Sequence, residues 1–312
     1  MPAKQTKMQI HFAPLQGYTG HEYRHAHAVH GGGVDTYYTP FIRREKGTVR
    51  QKDIRDITDP DNKELHLIPQ IMCSCVDDFN YLADTVQDLG YREIDLNMGC
   101  PAPMQTKHRC GSGLLPHPDL VEALFRQMRV RSEVRFSVKM RLGLERDYEW
   151  RALTDLINEA PLQHLCIHPR IGQQMYKGEV NRAMFHEMTK ALRIPIIYNG
   201  DLVSPADIAG IEKAYPALHG VMIGRGLLAR PTLALEYRTG HEMPVHERRA
   251  VLMQMHEDLL AFCTLKYKTD PQVLLHIRAF WEFQEQELGR KAWKKIMKAG
   301  NMKNYMQAIR EL

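Results

Sequence analysis

The sequence predicts an α/β fold, a (β/α)8 TIM barrel followed by a small C-terminal all-helical domain. Short β-like runs alternate with helical patterns up to about residue 240, and past that point the β-like runs stop. Amide, basic and imidazole side chains also recur at the same end of successive β-like runs, the end at which barrels carry their chemistry.

The β-like runs are QIHFA at 9–13, TYYT at 36–39, LHLIPQIM at 65–72 and EIDLN at 93–97. They continue with RFSVKM at 135–140, HLCIH at 164–168, IPIIYN at 194–199 and GVMI at 220–223. Most are short, apolar or β-branched, and bounded by Gly, Pro or Asn. Helical patterns at 22–30, 77–89, 118–129, 148–158, 181–192 and 205–214 lie between them. The last opens Ser204-Pro205-Ala206-Asp207, with Ser as N-cap and Pro at the first helical position. Residues 40–64 are charged and lack helical periodicity, so an extended loop at the barrel mouth is expected there. Beyond residue 240, VHERRAVLMQMHEDLLAFCTLKY, PQVLLHIRAFWEFQEQEL and a basic stretch read as helices. The expected division is a barrel over 1–240 and a helical domain over 241–312.

The chain has 312 residues, 44% of them hydrophobic and 25% charged, as in ordinary globular proteins. No apolar run reaches eighteen residues, so no membrane-spanning segment is expected. The N-terminal MPAKQTKMQIHFAP lacks the apolar core of a secretory signal. Six cysteines are dispersed, and Cys73-x-Cys75 is not zinc spacing, so reduced thiols in a cytoplasm are expected and no metal site. The net charge of +5 fits an anionic partner. LGRKAWKKIMKAGNMKN at 288–304 holds Arg290, Lys291, Lys294, Lys295, Lys298 and Lys303, with no acid. A helix lying along a phosphate backbone carries this density of cations, and so does an ordinary solvated face.

The strand ends carry the chemistry. They present Pro14-Leu15-Gln16, Gln70, Asn97 with Cys100, Lys139 with Arg141, His168 with Arg170, Asn199-Gly200-Asp201, and Gly224-Arg225-Gly226. A lone Gly-Arg-Gly is a tight turn and a lone His is a satisfied core residue. Together, helix-start N–H groups beside Arg225 suit a phosphate. Lys139 suits a reduced flavin's negative charge, and Gln70 and Asn97 suit the donor–acceptor edge of its pyrimidine ring.

These residues carry a family resemblance. Asp95-Leu96-Asn97-Met98-Gly99-Cys100-Pro101, with Gly111-Ser112-Gly113-Leu114-Leu115, resembles the signature region of the tRNA-dihydrouridine synthases. So do Ser137-Val138-Lys139-Met140-Arg141-Leu142-Gly143 and Ile167-His168-Pro169-Arg170 with Tyr176-Lys177-Gly178. Ile197-Tyr198-Asn199-Gly200-Asp201 and Val221-Met222-Ile223-Gly224-Arg225-Gly226 complete the match, which runs from about residue 10 to 237. The resemblance implies FMN at the barrel mouth, NADPH as its reductant, and reduction of the C5–C6 bond of chosen tRNA uridines. It implies flavin contacts from Pro14, Leu15, Gln16, Gln70, Lys139, His168, Asn199, Gly200, Asp201, Gly224 and Arg225. It implies uracil contacts from Asn97 and Arg170, and Cys100 as the proton donor. Arg141 is grouped with the substrate residues.

Cys110 sits beside His108 and Arg109, neighbours able to lower its pKa, which makes it the alternative to Cys100 as the reactive thiol. The Gly-Cys-Pro context belongs to Cys100, and Cys73, Cys75, Cys166 and Cys263 read as structural. Lys107 and Arg109 are expected at RNA phosphates, with Arg290, Lys291, Lys294, Lys295 and Lys298 on the tRNA body. Pro169 stands where relatives commonly have glycine, and Leu15 where they have methionine, which bears on the target uridine. A dinucleotide fingerprint Gly-x-Gly-x-x-Gly is missing, so nicotinamide is expected only as a transient visitor. A monomer with no protein partner is expected. The competing readings are an rRNA uridine, a free pyrimidine-like substrate, or an RNA-binding protein with a dormant barrel.

Overall fold

The computed structural model describes residues 8–312. The first seven residues of the stretch read for a secretory signal lie outside them. Eight parallel strands form the barrel: β1 (Gln9–Phe12), β2 (Thr36–Tyr38), β3, β4 (Glu93–Met98), β5 (Arg135–Gly143), β6 (Leu162–Ile171), β7 (Ile196–Asn199) and β8 (Gly220–Ile223). Strand β3 is in two pieces, Leu67–Ile68 and Gln70–Ile71, because Pro69 lacks the N–H a ladder needs. The first piece pairs with β2 and the second with β4, so the broken strand closes the barrel. Strand β8 pairs with β1 at the opposite seam.

Side-chain alternation along these strands builds two cores. Outward residues such as Ile94, Leu96, Val138, Met140, Ile167 and Tyr198 pack under the helices. Inward residues Ala13, Tyr38, Ile68, Cys166, Ile197 and Met222 form a separate cluster inside the barrel. Polar inward residues lie in line with this cluster along the same strands: His11 and His164 toward the strands' N-terminal ends, Lys139, His168 and Asn199 toward their C-terminal ends.

Most expected helices form. The capping box at Ser204 and Asp207 is complete, with each side chain bonded to the other's backbone. Two expectations are corrected. Strands β5 and β6 run three residues further than expected, which puts Arg141 and Arg170 inside strands. Residues 40–64 are not a loop: they form a hairpin of Arg44–Glu45 with Thr48–Val49, an α-helix Gln51–Thr58, and a turn of 3-10 helix Pro60–Asn62. The short helix buries Ile57, and Asn62 donates to the carbonyls of Asp56 and Ile57, which ties off its end.

The tail from Val245 to Arg310 is helical. Its longest helix, Val245–Lys266, is not long and apolar enough to cross a membrane, nor is any other among the described residues. Inside the tail, the Tyr305 hydroxyl bonds both His256 and the Trp281 indole N–H at 2.8 Å. The tail packs on the barrel. His30 bonds Asp258 at 2.7 Å, Tyr18 donates to Glu282 at 2.7 Å, and Gln284 donates to the Leu228 carbonyl. Its buried side chains join the helix-side core of the barrel in one cluster.

Candidate active site

A cavity of about 560 Å3 opens at the C-terminal ends of the strands. Its walls come from most of the barrel mouth: Pro14, Leu15 and Gln16 after β1, Asn97 from β4 and Cys100 after it, Lys139 and Arg141 from β5, and His168 from β6. The loops after β7 and β8 add Asn199, Gly200, Asp201, Gly224 and Arg225. Parallel register puts Asn97 beside Lys139 and Lys139 beside Cys166, so the three strands present their inward residues at neighbouring heights.

The Cys100 loop is held by short-range bonds. Asn97 Oδ1 accepts the N–H groups of Gly99 at 3.0 Å and Cys100 at 2.8 Å. The Cys100 carbonyl accepts Ser112 N–H at 3.0 Å and Ser112 Oγ–H at 3.1 Å. Gly111 lies on the same loop with φ +59°, and a Cβ there would stand 2.5 Å from the Cys100 carbonyl oxygen. The Gly-Ser-Gly segment is therefore a buttress for the cysteine: glycine permits the approach and serine holds it. Arg141 Nε donates to the Gly99 carbonyl at 2.9 Å from the other side.

Burial pushes the Cys100 thiol up, while the Ala102 backbone and the cations Arg141, Lys139 and Arg43 pull it down more weakly. The thiol keeps its proton at neutral pH with three cations near it. The alternative thiol, Cys110, is not activated by its neighbours. Its thiol is pushed up by burial, with a hydrogen bond to Ser74 as the largest opposing cause, and His108 and Arg109 are exposed. Cys110 is not among the cavity's lining residues. All six cysteines are free, and Cys75 is exposed.

Below Asn97 lies a buried polar column. Asn97 Nδ2 donates to Gln70 Oε1 at 2.8 Å, and Gln70 Nε2 donates to Asp95 Oδ2 at 2.7 Å. Asp95 Oδ1 accepts from Ser137 Oγ at 2.6 Å. Gln70 is fully buried and lies one layer beneath the cavity lining. Burial raises the Asp95 carboxyl to about 6 against the hydrogen bonds from Ser137 and Gln70 and the nearby Lys139. Burial also lowers the Lys139 ammonium.

On the opposite wall Arg170 pairs with Asp201 through both guanidinium nitrogens and donates to the Gly178 carbonyl. Its Nη1 also donates to His168 Nε2 at 3.0 Å. A guanidinium only donates, so His168 Nε2 carries the lone pair and Nδ1 carries the proton. Burial and four surrounding arginines and lysines hold His168 well below the usual imidazole range, so the ring is neutral. Arg170 is 2% exposed and stands behind His168 and Asp201, outside the lining.

Sequence reasoning left Tyr176 and the tail's share of the rim unassigned. Tyr176 lines the cavity with Arg225 5.1 Å and Arg141 5.4 Å from its ring centre. The tail supplies Glu282, Phe283, Glu285 and Gln286 to the rim, and Phe283 meets Tyr18 edge-on at 5.2 Å. The Tyr176-Lys177-Gly178 motif was a signal for the first. The tail residues carried none, since nothing local places them some 180 residues downstream of Asn97.

Lys107 and Arg109 are exposed beyond the Cys100 loop. The basic stretch forms the helix Arg290–Met297, and acids from outside it reach in: Lys295 bonds Glu311 at 2.6 Å, and Arg290 lies 3.9 Å from Glu285.

The model of the dihydrouridine synthase family matches residues 11–311. The chain belongs to the dihydrouridine synthase family. It is 30% identical over 241 residues to the tRNA-dihydrouridine(16) synthase of Neisseria meningitidis serogroup B, which covers 74% of this chain and 72% of the relative. It is 31% identical over 183 residues to tRNA-dihydrouridine synthase B of Vibrio parahaemolyticus, 55% of this chain and 56% of the relative. Among solved structures, morphinone reductase in complex with tetrahydroNAD superposes with a TM-score of 0.52 at 11% identity, over 76% of this chain and 88% of that one. That likeness shows the barrel fold. The expected family, enzyme class and fold are met.

Proposed function

We infer that this chain reduces chosen uridines of tRNA to 5,6-dihydrouridine, with FMN at the barrel mouth and NADPH as the source of electrons. The observation that carries the reading is the Cys100 loop, a thiol kept protonated by burial at the wall of a cavity that also presents Lys139, Arg141 and His168. The relatives named for tRNA uridines support the substrate class.

The residues present fit a flavin. A cavity of about 560 Å3 suits a ligand of that size. Lys139 is a cation with a desolvated ammonium, suited to a ring that gains negative charge on reduction. Pro14, Leu15 and Gln16 would flank the ring, with Lys139, His168 and Asn199 at its edges; Gln70 would stand behind Asn97, off the ring, with both ends of its amide spent on Asn97 and Asp95. The backbone N–H groups of Gly200, Asp201 and Gly224, with the Arg225 guanidinium, would hold the phosphate, at the two loops where barrels commonly bind one; the Asp201 carboxylate itself faces Arg170 and Arg225. A Cβ on Gly226 would stand 2.0 Å from the Leu202 carbonyl oxygen, so glycine there lets these two loops close together. When bound, the flavin supplies the hydride for uracil C6, having received it from NADPH.

The chain's own work is proton delivery and placement. As C5 of the uracil gains a hydrogen, the Cys100 S–H bond breaks and leaves a thiolate. Arg141 and Lys139 act on that sulfur and stabilise the charge it acquires. Asn97 and Arg141 would border the uracil, and Arg170 would act through His168 and Asp201. A buried site can receive a uridine only if the nucleotide is splayed out, as in a tRNA loop. Residues 241–312 would then hold the tRNA body through Arg290, Lys291, Lys294, Lys295 and Lys298, with Lys107 and Arg109 on nearer phosphates.

The test is nucleotide-resolution dihydrouridine mapping of total RNA from cells lacking the gene and from complemented cells. Loss and rescue at a tRNA position upholds the reading. Loss at an rRNA uridine replaces the partner, and no change at any uridine turns the reading to a free pyrimidine-like substrate.

A further inference from the structure

The column beneath Cys100 has a direction. Its upper end is two backbone N–H groups, of Gly99 and Cys100, which can only donate. Asn97 must therefore turn its oxygen toward them and its NH2 downward. That NH2 requires an acceptor, so Gln70 must present its oxygen and turn its own NH2 to Asp95. The lower end is a carboxylate, which accepts from Gln70 and, through its other oxygen, from Ser137. Each amide could rotate by half a turn with no steric cost, because its oxygen and NH2 are nearly the same size. Only the groups at the two ends set which way they face. Gln70 and Asp95 are both 0% exposed, so no water can substitute for a misdirected partner.

We propose that Asp95 is a positioning residue for proton delivery: through Gln70 and Asn97 it fixes the amide polarity that holds the Cys100 loop in its donating position. The inference rests on the reading of Cys100 as the proton donor. A neutral amide at position 95 can face Gln70 with an NH2. Gln70 then turns its oxygen down, and its NH2 meets the NH2 of Asn97. Asn97 must reverse or separate, and either outcome leaves the Gly99 and Cys100 N–H groups without their acceptor. The thiol then loses its place while the flavin's wall from β1, β6, β7 and β8 is untouched. Displacement of a reacting group by an ångström costs about a hundredfold in rate.

The polarity argument makes a prediction that a simple structural role does not. In Asp95→Asn combined with Gln70→Glu, the carboxylate moves one step up the column. In its new place it accepts from the amide below and from Asn97 above, and Asn97 again turns its oxygen to the loop. The buried charge near Lys139 is conserved in number.

The experiment measures two half-reactions on the flavin-loaded full chain, flavin reduction by NADPH and reduction of uridine in unmodified tRNA transcript. Asp95→Asn is expected to slow the second by about a hundredfold and the first far less, through the carboxylate lost beside Lys139 alone. The double variant is expected to recover most of the second. Full uridine reduction by Asp95→Asn, or failure of the double variant to recover, overturns the proposal. Should Asp95→Asn alone not fold, the double variant decides: soluble, flavin-loaded and active protein upholds the column, and inactive protein overturns it. A parent enzyme inactive on every transcript points instead to failure of the substrate reading.

Discussion

The two ends of the barrel interior each bury a histidine of the same strand β6, His164 at the lower, N-terminal end and His168 at the upper, C-terminal end, yet they do opposite things. At the N-terminal end, Tyr38 Oη bonds His11 Nδ1 and His164 Nε2, each at 3.0 Å, and His164 stacks on His219. That network closes on itself. At the C-terminal end, Lys139, Arg141 and His168 face a cavity. His11 and His168 are each held well below the usual imidazole range, and in both burial is the largest cause. The neighbours differ: imidazoles around His11, arginines and lysines around His168. A buried histidine with a perturbed pKa is thus not a site by itself. Its position along the strand, and whether its neighbours leave a space, decides.

The largest effect that would break the comparison belongs to the upper end. Cys100→Ala should lower dihydrouridine formation by about 10²–10⁴-fold, the usual worth of a positioned acid. The flavin and NADPH oxidation should be retained. An alanine variant that reduces uridine at the parent rate removes Cys100 from the chemistry. The same substitution at Cys110, outside the cavity lining, should leave turnover within about twofold, as for a change away from reacting groups.

The lower end should show itself in stability. His164 is lowered to about 4, with burial the main cause. Its unfolded value is near 6.5, so between those limits the unfolded chain binds a proton that the native state refuses. Stability therefore falls as pH drops from about 6.5 to about 4, by roughly 2–4 kcal/mol for this one group. His11 acts in the same sense. Asp95 acts in the opposite one: its carboxyl is raised to about 6, so the native state holds that proton better and its contribution grows as pH falls. Two imidazoles outweigh one carboxyl, and the net slope is toward acid lability. Denaturant titrations at pH 7 and pH 4.5 should show the loss, and His164→Gln should reduce it. An unchanged pH slope in that variant would place the lability elsewhere.

How legible each end was follows from what fixes it. The barrel could be read because strand alternation and breaker residues are local, and Asn199 ends its strand while Gly224 directly follows its own. Gln70 and Arg170 could be read as polar strand-end residues, yet Gln70 spends its polar atoms on a neighbouring strand and Arg170 on His168 and the loops after β6 and β7, which no local pattern encodes. The helix Gln51–Thr58 was hidden because its apolar face has only Ile54 and Ile57 among charged residues. The rim residues Glu282 and Phe283 were hidden because tertiary packing alone brings them to the mouth. The acid-free basic stretch misled in the same way: Glu311 lies past its end in sequence and against Lys295 in space.

That last contact gives the smallest expected effect, and it extends the comparison to the solvated surface. If the helix Arg290–Met297 lies on RNA, each lysine that neutralises a phosphate contributes to the steepness with which binding falls with salt. Replacing Lys291, Lys294, Lys295 and Lys298 together with Ala should weaken tRNA binding and lower the log–log salt slope by about one per phosphate contact. The four need not contribute equally. Lys291 and Lys298 are exposed, whereas Lys295 must leave Glu311 before it can meet a phosphate. Lys295→Ala alone should therefore change the slope less than Lys291→Ala, and Glu311→Gln should steepen it by releasing Lys295. Equal slopes for all three variants would mean that the helix does not touch the RNA, and that its charge serves solubility alone.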